Sequence, residues 1–334
     1  MKFRWLLAAL IPFAFAGIGP TAANSTTKIY VTNSQGDDIT VIDLASRKAT
    51  DDVRVGRDVH GVCAPADARR IFTTIESEKS LKIIDTADDE ITAAIPLTGT
   101  PNQCASTPDG RYVDVPIRDA NSVDIVDTQQ KKVVKTLPVR EPHSGYDADD
   151  NQRIFVSSMG DGQIDLIDLQ KMDYVAKIPV GGIPRPYVVT KDETTIYSAL
   201  TDFHGFVIAS IPERKVIERV ALPPAPPAAC VLEPHTPTHG LALTPDGREL
   251  WVTSLGDSGI YVYDVASKKI SSEIPTGKCP NWITITSDGR YVAVSNSDSD
   301  DCSIIDEISH REIARVKVGK SPKRLLALNV PSAN

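Results

Sequence analysis

Six short apolar runs end in aspartate: ITVID at Asp43, LKIID at Asp85, VDIVD at Asp127, IDLID at Asp168, IYVYD at Asp264 and CSIID at Asp306. Ser210 takes the same place once, so successive anchors lie 42, 42, 41, 42, 54 and 42 residues apart. Seven units therefore tile the chain. Within a unit, apolar residues alternate with period two, and turns such as Pro108-Asp109-Gly110 and Pro245-Asp246-Gly247 separate the runs, which gives four short strands. A four-stranded repeat of this length is a β-propeller blade. The chain opens on a second strand, Lys28-Ile29-Tyr30-Val31-Thr32-Asn33, and closes on a lone first strand, Pro322 to Leu328. The expected fold is all-β: a seven-bladed propeller of four-stranded antiparallel blades, its ring closed by the two terminal strands. The six anchor aspartates are expected to cap the turn that leaves the third strand.

Tyr30-Val31-Thr32-Asn33, the VIDL at Val41 to Leu44 and the recurring PDG and VID elements resemble the YVTN family of β-propeller repeats across residues 24–334. The resemblance implies a single propeller domain. In function it points toward surface-layer proteins, lactonase-like proteins and relatives of haem-binding propellers.

Residues 1–23 read as an export leader. Lys2 and Arg4 precede a short apolar run, Leu6 to Phe15, and small residues follow at Ala14-Phe15-Ala16 and Thr21-Ala22-Ala23. The run is too short to cross a membrane as a permanent helix. This predicts a periplasmic or secreted protein without an integral membrane segment. The net charge of −8 is spread without long runs of either sign, which argues against a nucleic-acid partner.

Propellers act where their blades converge. Counting eleven residues back from Ile71, Val113, Ile154, Ile196, Leu250 and Val292 places His60, Asn102, His143, Arg185, His239 and Asn281 at the start of successive inner strands. Lys323 of the closing strand is the seventh. All are polar, and three are histidines from alternate blades. Three convergent imidazoles suit one divalent transition metal, zinc or similar, with a place for water. Loops on the same face carry Glu76 and Arg118, and Glu76 beside metal-bound water would serve as a general base. The one insertion, residues 223–237, is stiffened by its prolines and brings His235 as a fourth candidate metal ligand.

Arg185 and Lys323 would hold a carboxylate or a developing oxyanion, and Asn102, Arg118 and Asn281 would orient the ligand. The expected function is binding of a small anionic ligand or substrate at the channel mouth. If the protein is an enzyme, the resemblance implies metal-assisted opening of a lactone or ester. The alternative is a non-enzymatic metal- or ligand-binding scaffold, with a protein partner on one propeller face. No phosphate loop, dinucleotide fingerprint, GxSxG elbow or c-type haem motif is present. Of the five cysteines, Cys302 occupies an apolar slot. Cys230 and Cys279 share a face on which they can bridge, and Cys63 and Cys104 point either toward one another or apart.

Overall fold

The alternating runs form strands, and the turn chemistry sets where each strand ends. In every unit the anchor side chain accepts backbone N–H groups of the turn that follows. Examples are Ser46 to Asp43 at 2.7 Å, Gln130 to Asp127 at 2.9 Å and Ser309 to Asp306 at 2.9 Å, and Glu213 makes the same bond to Ser210 at 3.2 Å. These bonds hold the Asp168 and Asp306 carboxyls below the usual carboxylate range. Four residues beyond each anchor the backbone turns left-handed, at Arg47, Asp89, Lys131, Met172, Arg214, Lys268 and His310.

The computed structural model describes residues 25–147, 150–227, 230 and 236–331, and among them the strands form seven four-stranded antiparallel sheets. The expected leader, residues 1–23, lies outside the described residues. Blade 1 comprises Ser25–Asn33, Asp38–Asp43 and Lys48–Arg54, with Pro322–Pro331 as its innermost strand. Lys28 pairs with Leu328 and Val31 with Leu325, so both chain ends share one sheet and the ring closes as expected. Blades 2 to 7 begin near Val59, Pro101, Pro142, Pro184, Thr238 and Pro280. The inner strand of blade 3 is reduced to Ala105–Ser106 plus a single bridge between Pro101 and Ile117.

Seven apolar clusters hold the ring, one at each junction between neighbouring blades. Ile29, Val31, Cys302 and Ile304 close the junction of blades 7 and 1, and Trp251, Ile260, Ile283 and Val292 fill that of blades 6 and 7. The core is therefore a ring of packed seams around the axis. No helix among the described residues is long and apolar enough to cross a membrane.

Candidate functional site

The residues at the axis are aimed by a break in the sheet. As the inner strand enters six of the seven blades its register slips, as between Val59 and Val62, Thr238 and Leu241, or Pro280 and Trp282. Such a bulge frees a backbone N–H that must find a partner. In five blades a hydroxyl of the neighbouring strand supplies it: Thr32 to Arg324, Thr74 to Gly61, Ser157 to Ser144, Thr253 to Gly240 and Ser295 to Trp282, at 2.7–3.1 Å. In blade 3 the Asn102 side chain takes the N–H of Gln103 at 2.9 Å. In blade 5 the corresponding residue is Pro186, which has no N–H, and the facing residue is Ala199. The motif Thr32 and its equivalents thus anchor the bulges that present the axial residues.

Several of the same hydroxyls also reach the next blade. Thr32 Oγ1 lies 3.0 Å from the His60 carbonyl, Thr74 donates to that of Asn102 at 2.6 Å, and Ser295 to that of Lys323 at 2.7 Å.

The mouth of the ring is a cavity of about 520 Å³ whose lining includes His60, Asn102, Arg118, His143, Arg185 and Lys323. Five of the seven counted axial residues thus share one wall. His60 Nδ1 donates to the Glu76 carboxylate, and the other Glu76 oxygen accepts from Arg118 at 2.6 Å. His60 is buried, whereas Arg118 is half-exposed at the rim. With Nδ1 carrying the hydrogen, the neutral imidazole keeps its lone pair on Nε2. Arg185 Nε donates to Thr201 at 2.8 Å, which fixes its guanidinium in the wall. At the rim, the N–H and hydroxyl of Thr100, with Lys79 beside them, pull the Asp119 carboxyl down to about 2. Asp119 and Glu141 thus line the mouth together with Arg118, Arg185 and Lys323.

His239 and Asn281 are wholly buried and do not line the mouth itself. His239 Nδ1 donates to the Asn281 carbonyl at 2.7 Å, and its ring packs 5.9 Å from Trp282 and edge-on to His143 at 6.1 Å. Of the three histidines expected to converge, His60 and His143 line the mouth, and the His143 and His239 rings are in contact. Strand phase gives a direction toward the axis but no distance from it. His235 lies outside the described residues.

The main residue the sequence reading overlooked is Arg324. Wholly buried, it reaches across the axis to Gln103 Oε1 at 3.1 Å and Asn281 Oδ1 at 3.4 Å, and its guanidinium lies 4.0 Å over the Trp282 ring. It tests the alternation rule, because the bulge lets two consecutive residues, Lys323 and Arg324, both serve the axis. Beyond this layer a second cavity of about 430 Å³ is lined mainly by apolar residues such as Val62, Leu241, Ile283 and Leu325. Both cysteine pairs are disulfides, Cys63–Cys104 and Cys230–Cys279, each with Cα atoms 5.8 Å apart. Cys302 is a buried thiol, pushed up to about 12 by burial.

Comparison with known proteins agrees with this architecture. A family model described as a seven-bladed β-propeller lactonase matches residues 120–310. No curated protein sequence matches the chain. Among solved structures, the periplasmic gluconolactonase of Pseudomonas aeruginosa aligns with a TM-score of 0.71 and 20% identity, covering 92% of this chain and 100% of that one. A protein of unknown function from Desulfotomaculum acetoxidans gives 0.76 and 12%, covering 91% and 99%. The hydrazine synthase of Kuenenia stuttgartiensis gives 0.69 and 17%, covering 82% and 96%. At such identities the likeness is one of fold.

Proposed function

Because the chain belongs to the seven-bladed β-propeller lactonase family, whose model covers residues 120–310, we propose that it hydrolyses a small, negatively charged lactone at the axial mouth. The observation that carries this reading is the His60–Glu76 pair in a cavity lined by Arg118, Arg185 and Lys323. A carboxylate on Nδ1 orients the imidazole and stabilises its protonated form, which is what a general base requires. His60 takes a proton from water as the water oxygen bonds to the lactone carbonyl carbon. The carbonyl oxygen becomes an oxyanion beside Arg185 and Lys323. The ring C–O bond then breaks, the imidazolium returns its proton to the departing alkoxide, and the open hydroxy acid releases its carboxyl proton to solvent and leaves as its carboxylate. Arg118 holds Glu76, and Asn102 lies in the same wall to orient the substrate.

These steps do not call on the zinc-like metal expected from His60, His143 and His239, and no step is assigned to it. Export fits the reading. Two disulfides suit an oxidising compartment, the leader expected at residues 1–23 would direct the chain there, and a periplasmic gluconolactonase shares the fold. The test is a pH-stat assay of the purified protein on a panel of carboxylated and neutral sugar lactones. Turnover of charged lactones, lost in His60→Gln, supports the proposal. Tight binding of the hydroxy acid with no turnover of any lactone would replace it with a binding protein.

A further inference from the structure

The Pro-rich insertion is covalently tied to the ring through Cys230, and the chemistry of that tie extends beyond a cross-link. Cys230 of the insertion bridges Cys279, which enters the inner strand of blade 7, and both sulfurs are buried against Leu255. A third donor stands beside them. Among the described residues, Cys230, Cys279 and Asp298 are the one group of three potential ligands whose donor atoms all lie within 4.8 Å of one another. Cys279 Sγ is 3.3 Å from Asp298 Oδ2.

Two of the three are held firmly in relation to each other. The Cys279 carbonyl accepts from both the N–H and the hydroxyl of Ser297 at 3.0 Å, and Asp298 N–H donates to the Lys278 carbonyl at 3.2 Å. Asp298 is exposed, so a metal held here would keep a solvent-facing position.

We propose that in the reduced protein Cys230, Cys279 and Asp298 form a zinc-type site, so that the insertion is fastened either by a disulfide or by a metal. A dithiol reductant attacks one sulfur, the S–S bond breaks, and the reductant leaves as its own cyclic disulfide while both cysteines become thiols. A divalent cation that binds here displaces both thiol protons to solvent and takes two thiolates and one carboxylate, a donor set suited to zinc.

The probe is Co²⁺, whose bonds to thiolate give a charge-transfer absorption in the near ultraviolet. The full chain is reduced with a phosphine under anaerobic conditions, freed of reductant and titrated with Co²⁺. One equivalent bound with this absorption is expected, and it should be lost in both Cys230→Ser and Cys279→Ser. It should persist when Cys63 and Cys104 are both replaced by Ser, and Asp298→Asn should weaken affinity at least about tenfold, the cost of losing even an outer partner. Because Cys230 lies on the insertion, its variant tests the site even if Cys279→Ser does not fold. The absence of the band in reduced wild type, its survival in folded Cys230→Ser, or an unchanged affinity in Asp298→Asn would each overturn the assignment. None of these readouts depends on lactone turnover.

Discussion

Thr32 and Arg324 lie 292 residues apart in the chain and meet at the ring closure, where Arg324 N–H donates to Thr32 Oγ1 at 3.0 Å. The hydroxyl thus fills the gap that a bulge opens in the sheet joining the two chain ends. Thr32→Val keeps the shape and removes the acceptor, leaving a buried amide unsatisfied at a cost of about 1–3 kcal/mol. Denaturant unfolding should show that loss, and Thr32→Ser should recover most of it. Equal stability of Thr32→Val and wild type would mean that the bulge amide is satisfied without the hydroxyl.

The His60–Glu76 pair makes a second prediction, on lactone turnover. Glu76→Gln retains a polar side chain but removes the charge that favours the imidazolium, so kcat should fall about 100-fold or more while the melting temperature hardly moves. Arg118→Ala, which frees Glu76 from its rim partner, should reduce kcat less. An unaltered kcat in Glu76→Gln would remove His60 from the role of base.

Much of this was readable beforehand, and the limits have a physical origin. A fixed repeat and Asp-capped turns set blade number and closure, and five of the seven positions that strand phase picks out lie in the lining of the mouth. Depth along the axis is not readable, so the phase that aligns His239 with His60 and His143 leaves the distances between their rings open. Arg324 was missed because alternation turns the neighbour of Lys323 away from the axis, whereas the bulge brings it back. A signal was present one residue beyond the counted positions. Gly61 and Gly240 are small where neighbouring backbones come closest, and Gln103, Trp282 and Arg324 are large where the centre must be filled. The Cys63–Cys104 pairing had two equally good parities, and only the geometry of adjacent inner strands decided between them.

Asp114 supplies a prediction about pH. It is buried between blades 3 and 4, and among the described residues neither carboxylate oxygen has a hydrogen-bond partner from another residue. A Cβ at Gly145 would collide with it. Burial pushes its pKa well above the usual carboxylate value. The folded state therefore binds the proton more tightly than the unfolded chain. The resulting stability is complete below the ordinary value of about 3.9 and is lost as pH rises toward the folded pKa. Asp114→Asn, which mimics the protonated form, should melt higher than wild type at neutral pH, with the difference closing as pH falls toward 4. A difference independent of pH would show that the carboxyl does not ionise in the range tested.

The closing strand allows two roles to be separated, sealing the ring and pinning its centre. Removing every residue after Ser321 strips the inner strand from blade 1, exposes the edge of Ser25–Asn33 and deletes the buried Leu325 and Val330. It also removes Arg324. An open edge and an unfilled seam should cost the ring its cooperative unfolding, seen as a broad, early thermal transition and a larger hydrodynamic radius. Arg324→Met keeps the strand and its register but deprives Gln103 and Asn281 of the guanidinium. That variant should still unfold cooperatively, at a cost of about 1–3 kcal/mol for the polar groups left behind. If the truncated chain melted as sharply as Arg324→Met, the ring would be held by its inter-blade seams alone, and the terminal strand would matter only for the side chains it brings to the axis.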